Sequence, residues 1–206
     1  MQLARTVHII EDDDSSRRFL SRRLQAHGYA VRTYPSASAF LAAEVESGPG
    51  CILVEAGLRG MSGLDLQRAM VSRPEHLPII FISDSSESDI QTAVQAMKAG
   101  AVDFLTKHAP HKVLINAIQT ALARSERDWI TREEARSRRA CYERLTKRQQ
   151  EVFQRVVVGK PNKEIATELG VALRTIKAHR AEAMKKLHVT SVAGLVRFAN
   201  QLSVLA

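Results

Sequence analysis

The sequence predicts a five-stranded α/β domain followed by an all-helical one, and three observations carry that reading. Over residues 1–122, short apolar runs alternate five times with helically patterned stretches, as in a parallel sheet covered on both faces. Residues 123–144 hold neither Gly nor Pro and carry charges at i,i+3 and i,i+4 spacing, as a solvated linker helix would. Residues 145–206 are helical by pattern, are broken by glycine turns, and hold most of the surplus positive charge.

Each element follows from its own residues. Thr6–Ile10 (TVHII) reads as a buried strand. A helix over Ser15–His27 places Phe19, Leu20 and Leu24 at helical spacing and stops at Gly28. Ala30–Tyr34 reads as a second strand and Ser36–Ala43 as a short helix. A Ser-Gly-Pro-Gly turn leads to a third strand, Cys51–Glu55, and then to a helix over Leu64–Val71. Pro78–Ser83 reads as a fourth strand, Asp89–Ala99 as a helix ended by Gly100, and Asp103–Thr106 as a fifth strand. Val113–Leu122 opens a fifth helix that continues into the linker. Trp129 and Ile130 give no sustained heptad, so a long coiled coil is not expected. In sheets of this kind the chemistry sits at the carboxyl ends of the strands.

In the last domain Thr146 is expected to cap a helix, and Gly159-Lys160-Pro161 breaks the chain. Asn162 is expected to cap a second helix, NKEIATELG, which ends at Gly170. LRTIKAHRAEAMKKL forms a third helix and Ser191 starts a fourth. A short helix, a tight glycine turn and a second amphipathic helix make a helix-turn-helix.

Composition narrows the functional classes. Apolar residues are 45% and charged residues 25%, enough for a packed soluble core. No apolar run approaches the roughly 18 residues of a membrane span. The opening MQLARTVHII runs into a strand, so neither a membrane partner nor a signal peptide is expected. Cys51 and Cys141 lie far apart without metal-like spacing, which fits a reduced, cytoplasmic setting. The net charge of +8 is uneven: Lys+Arg against Asp+Glu is 12 to 13 in residues 1–122, 7 to 5 in 123–144 and 11 to 4 in 145–206. A basic module beside a near-neutral one points to nucleic acid at one end. A merely solvated basic surface gives the same count, so charge alone leaves both readings open.

The third helix of the last domain sharpens this. Ile176, Ala183 and Leu187 fall on one face and would pack on Ile165, Ala166, Leu169 and Val171. The other face shows Arg174, Lys177, Ala178, Ala181 and Lys185. Long cationic side chains there would reach guanine edges in the major groove of double-stranded DNA, and small ones would fit thymine methyls. Thr146, Asn162, Thr175, Arg180 and Lys186 are candidates for phosphate contacts. Taken alone, the pattern equally describes an ordinary basic amphipathic helix.

A family resemblance decides between them. The stretch LTKRQQEVFQRVVVGKPNKEIATELGVALRTIKAHRAEAMKKL resembles the LuxR-type helix-turn-helix of the NarL/FixJ regulators. Leu145, Thr146, Arg148, Glu151, Val152, Gly159, Asn162, Lys163, Ile165, Ala166, Leu169, Thr175, Lys177, His179, Lys186 and Leu187 carry the match. The resemblance implies a four-helix DNA-binding unit that dimerises through its last helix on two half-sites. Val192, Leu195, Val196 and Ala199 would form that dimer face here. One departure is Ala172, where the family often caps the recognition helix with Ser; losing such a cap costs about 1 kcal/mol. His179 has no metal-like partner near it in sequence and reads as a packed helix histidine.

Residues 5–122 resemble the response-regulator receiver, a flavodoxin-like α/β domain, through VHIIEDD, MSGLDLQ and AMKAGAVDFLTK. The resemblance implies an acidic pair that holds Mg²⁺, here Glu11 and Asp12, a hard cation wanting oxygen ligands. It implies a phosphate-pairing lysine, Lys107, a switch hydroxyl at Ser83 or Ser85, and a switch aromatic at Phe104. At the phosphoacceptor position, however, stands Glu55 in place of Asp. The extra methylene displaces the carboxylate from the metal and the line of attack, and small misplacements of that kind lower rates by orders of magnitude. Leu58-Arg59 replaces the family's Met-Pro, and His108 replaces the proline after the lysine. The expected protein is therefore a DNA-binding transcription regulator with a degenerate receiver. No cofactor is required on this reading, and Mg²⁺ at Glu11 and Asp12 is set against an acceptor that no longer suits it. Glu55 either imitates the phosphorylated state by reaching toward Lys107 and Ser83 or fills an inert scaffold. The alternative is a signalling adaptor that docks a histidine kinase or another regulator through its fourth helix, fifth strand and fifth helix. An enzyme with phosphatase turnover is disfavoured by Glu55.

Overall fold

The apolar runs rich in β-branched residues pair into one parallel sheet in a computed structural model of the chain, which describes residues 5–45, 47–73, 77–84 and 89–203. In chain order the first unit contains β1 (Thr6–Ile10), α1 (Asp14–Gln25), β2 (Ala30–Tyr34), α2 (Ala37–Ala42) and β3 (Gly50–Glu55). It continues with α3 (Gly63–Val71), β4 (Ile79–Ser83), α4 (Asp89–Lys98), β5 (Asp103–Thr106) and the start of α5 (His111–Glu143). The strand order is β2-β1-β3-β4-β5. β3, at the centre, is buried along its whole length. Its side chains alternate: Cys51 and Leu53 join Val7, Ile9, Leu24, Ile80 and Ile118 on one face, and Ile52 and Val54 join Ile10, Phe40, Leu66 and Phe81 on the other. The register sets Ile10 beside Val54, Glu55 beside Ile82 and Ser83 beside Thr106, so the strand ends form one rim.

Local chemistry sets the helix starts. Asp13 Oδ1 accepts from the Ser16 N–H at 2.7 Å and Ser36 Oγ from the Ala39 N–H at 3.1 Å. Ser62 Oγ likewise accepts from the Asp65 N–H at 3.2 Å. The helix that Ser62 caps lies hard against the sheet. A Cβ at Gly63 would meet Phe81 Cε1 at 2.8 Å and the Glu55 carbonyl at 2.9 Å, so only glycine fits there. Several ends differ from expectation. α1 stops at Gln25, because the chain turns over Ala26 and His27 into Gly28, held at φ +80°. β4 starts at Ile79, since Pro78 has no N–H for the ladder, although its carbonyl accepts from Ile52 N at 2.9 Å. α5 is a single helix of 33 residues. The chain divides into Met1–Trp129 and Ile130–Ala206, and residues 123–143 of the expected linker are helical within α5.

The second unit holds the end of α5 with α6 (Lys147–Val157), α7 (Asn162–Glu168), α8 (Leu173–Lys186) and α9 (Val192–Ser203). Its core is Leu145, Val152, Phe153, Val156, Ile165, Ala166, Ile176, Ala183, Leu187, Leu195 and Phe198. Thr146 caps α6 through a capping box with Gln149. Two expectations are corrected here. Asn162 does not cap α7: Pro161 occupies the cap position without a side-chain bond, and Asn162 is the first helical residue. Leu195, expected on an outward dimer face, is only 1% exposed and fills the core, because α9 needs an inner apolar side to pack on α6.

Candidate functional site

The rim of the sheet carries an open pocket of about 400 Å³, lined by residues that include Glu11, Asp12, Glu55, Arg59, Asp84 and Lys107. The ends of β1, β3, β4 and β5 bring these together from distant points in the chain. Lys107 is the hub. Its Nζ lies 2.7 Å from Glu55 Oε2, 3.0 Å from Glu11 Oε2 and 3.2 Å from Asp84 Oδ2. The contacts to Glu55 and Glu11 are close ion pairs. Backbone groups hold the carboxylates in place. Glu11 Oε1 accepts from the Asp13 N–H at 3.1 Å and Glu55 Oε1 from the Gly57 N–H at 3.2 Å. Arg17 Nη1 donates to the Glu11 carbonyl at 2.8 Å, and Arg59 Nε lies 3.4 Å from Asp12 Oδ2. Ser83 is buried in the pocket wall, and Phe104 stacks on Phe81 with ring centroids 5.9 Å apart. Ser85, the other switch candidate, lies outside the described residues.

Burial pushes the Glu11 carboxyl above its ordinary range, against the opposing pull of Lys107 and the Asp13 N–H. Burial alone would lower the Lys107 ammonium, but its pairing with Glu55 and Glu11 outweighs this and holds it well above the usual lysine value. A Mg²⁺ ion fits poorly in this arrangement. The carboxylate oxygens it would use are engaged by Lys107, Arg59 and backbone N–H groups. Glu11, Glu55 and Asp84 converge on the Lys107 ammonium, which takes the central position a cation would need. The positive charge at the centre is supplied by Lys107.

In the second unit α8 is the presented helix. Arg174, Lys177, Ala178, Ala181 and Lys185 are exposed on it, and Ile176 and Ala183 are buried behind them. Thr175, Arg180 and Lys186 are half-buried. Arg180 Nη1 donates to Asn162 Oδ1 at 3.3 Å, tying α8 to the start of α7. The Lys186 ammonium turns inward, donating to Gln149 Oε1 at 2.8 Å and to the Arg144 carbonyl at 3.1 Å. It thereby joins the start of α6 to the end of α5. Thr146 is exposed, with its hydroxyl oxygen accepting from the Gln149 N–H. As expected from sequence, Ala172 caps α8 with no side-chain bond. On α9, Val192 is exposed and Val196 and Ala199 are half-buried. Sequence reasoning missed Asp84, Asp13, Arg17 and Gly57. Asp84 alone carried a signal, as an acidic residue directly after the fourth strand.

An acid-and-lysine rim on a five-stranded parallel sheet, followed by a helix-turn-helix unit with a cationic helix, defines a two-unit signal-responsive regulator. Residues 7–119 match the response regulator receiver domain, and residues 143–199 match the luxR family of bacterial regulatory proteins. The chain is 39% identical over 196 residues to the response regulator protein TmoT of Ectopseudomonas mendocina, covering 95% of this chain and 88% of that one. It is 38% identical over 197 residues to the transcriptional regulatory protein FixJ of Rhizobium meliloti, covering 94% of each. The solved structure of the response regulator StyR matches with a TM-score of 0.85 at 36% identity, over 96% of this chain and 99% of that one. The chain belongs to the response regulators of the NarL/FixJ type and is a transcription regulator with a LuxR-type DNA-binding domain, not an enzyme. No helix among the described residues is long and apolar enough to cross a membrane.

Proposed function

We propose that this regulator binds its operator as a homodimer, seating α8 of each copy in the major groove, and that it does so without aspartyl phosphorylation. The observation that carries the second half is Glu55 Oε2, 2.7 Å from Lys107 Nζ. A phosphoryl group would bring negative charge to that lysine, and Glu55 already supplies it. The acceptor position thus holds a side chain that is both misplaced for attack and engaged in a nearly buried ion pair. The mimicry reading predicts that Glu55→Gln, which keeps shape and removes charge, weakens binding to a duplex selected from a random pool by roughly tenfold. Parent-like binding by both Glu55→Gln and Glu55→Ala would sink mimicry. Intact-mass spectrometry after treatment with a small phosphodonor is expected to find no phosphoryl group on the parent protein.

A second reading, the signalling adaptor, is favoured by α4. There Ile90, Val94 and Met97 lie exposed at helical spacing, an apolar stripe that a kinase or another receiver would cover. It predicts that Val94→Asp abolishes such pairing, while DNA selection returns no enriched sequence.

A further inference from the structure

Away from the pocket, the C-terminal end of α1 meets the first residue of α5 through three side chains whose hydrogen bonds form a closed chain. Arg23 Nε donates to His111 Nδ1 at 2.7 Å. His111 Nε2 and His27 Nε2 lie 2.6 Å apart, with ring centroids 4.2 Å apart. His27 Nδ1 lies 3.0 Å from the Arg23 carbonyl oxygen. One placement of hydrogens satisfies all three contacts. A guanidinium nitrogen only donates, so His111 Nδ1 is a bare acceptor and its hydrogen sits on Nε2. That hydrogen points at His27 Nε2, which must accept, leaving the His27 hydrogen on Nδ1. From there it is donated to the Arg23 carbonyl. This arrangement needs one hydrogen on each imidazole, and each tautomer is fixed by its neighbour.

We infer that Arg23, His27 and His111 form a proton-sensitive latch between α1 and α5, closed while both imidazoles are neutral and opened when either takes up a proton. Protonating His111 sets an N–H against the Arg23 N–H. Protonating His27 sets an N–H against the His111 N–H, and switching the His111 tautomer to relieve that restores the first conflict. Charge acts in the same direction. Partial desolvation, then the charge of Arg23, and a proton on His27 whenever it is taken up, hold His111 below the usual imidazole range. Among the described residues no carboxylate pairs with Arg23, His27 or His111. Arg22 and Lys112, their neighbours in sequence, are cations as well. The pair is not a metal site in this arrangement. A metal on His111 Nε2 would need the hydrogen on Nδ1, where Arg23 already donates.

The latch sits where it can matter to output. His111 follows Lys107 of the pocket by four residues, and it begins the helix whose far end belongs to the second unit. A histidine with a lowered folded pKa contributes its full stability above the ordinary imidazole value of 6.5. That contribution is lost as pH falls through the folded value. The first turn of α5 is therefore freed on acidification.

Nitrogen-resolved NMR of the histidine rings in the full-length protein tests this, combined with amide hydrogen exchange from about pH 8 to about pH 5.5. At the upper end, His111 is expected as the Nε2–H tautomer and His27 as the Nδ1–H tautomer. On acidification the protection of the first α5 amides is expected to fall by up to about tenfold per pH unit, in step with the two rings. The double variant His27→Gln with His111→Gln is expected to flatten that dependence. The latch is overturned if His111 carries its hydrogen on Nδ1, or if the rings titrate independently with α5 protection unchanged. Stoichiometric Zn²⁺ bound through both Nε2 atoms at neutral pH would overturn it as well.

Discussion

Lys107 in the first unit and Arg174, Lys177 and Lys185 in the second are all cations, but only Lys107 is enclosed by carboxylates. Glu11, Glu55 and Asp84 surround it within 3.2 Å. Arg174, Lys177 and Lys185 stand exposed on α8 with no carboxylate paired to them among the described residues. Elsewhere in the same unit several cations are paired with carboxylates: Arg148 with Glu151 at 2.7 Å, Arg155 with Glu168 at 3.0 Å and Lys160 with Glu164 at 3.3 Å. Positive charge thus builds structure in the pocket and around α6 and α7. On one face of α8 it is left for a partner's phosphates and base edges. A cation satisfied within the fold has little left to offer DNA, and one left unpaired adds little to stability.

The largest effect should come from breaking the enclosed cation. Lys107→Met leaves Glu11 and Glu55 nearly buried without a counter-charge, and removal of one partner from such a group costs about 3 kcal/mol. Urea denaturation would measure it, and a loss below the error of that measurement would show the cluster to be solvated and slack. The pH dependence has a definite sign. Lys107 is held above its ordinary 10.5, so its contribution is complete below that value and lost only as alkaline pH passes the folded one. Glu11 is held above its ordinary 4.5, so its contribution is complete below that value and declines as pH rises through the folded one. The variant's deficit should therefore shrink toward acid pH, where Glu11 is protonated.

Breaking the unpaired cations should act on binding and leave stability alone. Arg174→Ala and Lys177→Ala are each expected to weaken operator binding by about 2 kcal/mol, roughly thirtyfold, with the melting temperature unchanged. Phosphate contacts would also reveal themselves in a shallower salt dependence of the affinity. Lys186 provides the contrast within the same helix. Its two inward hydrogen bonds predict that Lys186→Met lowers stability by about 1 kcal/mol. A Lys186 variant with parent stability and a binding defect as large as that of Lys177→Ala would place this ammonium on DNA instead.

Much of this contrast is legible in the sequence, for physical reasons. Continuous apolar runs specify strands such as CILVE, because a sheet packed on both faces admits little else at its centre. Glu55 stood out because it closes that strand. The cationic face of α8 followed from helical spacing against Ile176 and Ala183. What the sequence hides is direction and long-range pairing. Lys186 and Lys185 are adjacent and alike, and only the position of Gln149 turns one of them inward. Leu195 sits on an apolar helix face that would serve a dimer or the domain's own core equally well, and the core of α6 and α8 claims it. Asp84 meets Lys107, Arg59 meets Asp12, and His27 meets His111 because loops at strand and helix ends converge, which no local pattern records.

The smallest expected effect is at the start of α8, and it isolates structure from recognition. Ala172 occupies the cap position in extended conformation, φ −67° and ψ 146°, with no side-chain acceptor for the first free N–H groups of the helix. Ser36 and Ser62 cap α2 and α3 in the first unit with bonds of 3.1 and 3.2 Å, so the same chemistry is in use elsewhere in the chain. Ala172→Ser supplies the missing acceptor two residues before Arg174 and should stabilise the second unit by about 0.5–1 kcal/mol, read as a higher thermal midpoint. Because the backbone already has the geometry a serine cap needs, α8 itself does not have to move. DNA affinity should then rise only by what a better-ordered first turn contributes to placing Arg174, at most a few-fold. A stabilised variant with lowered affinity would mean that the uncapped N–H groups themselves take a DNA phosphate, and that part of the interface lies at the helix end and not only along its cationic face.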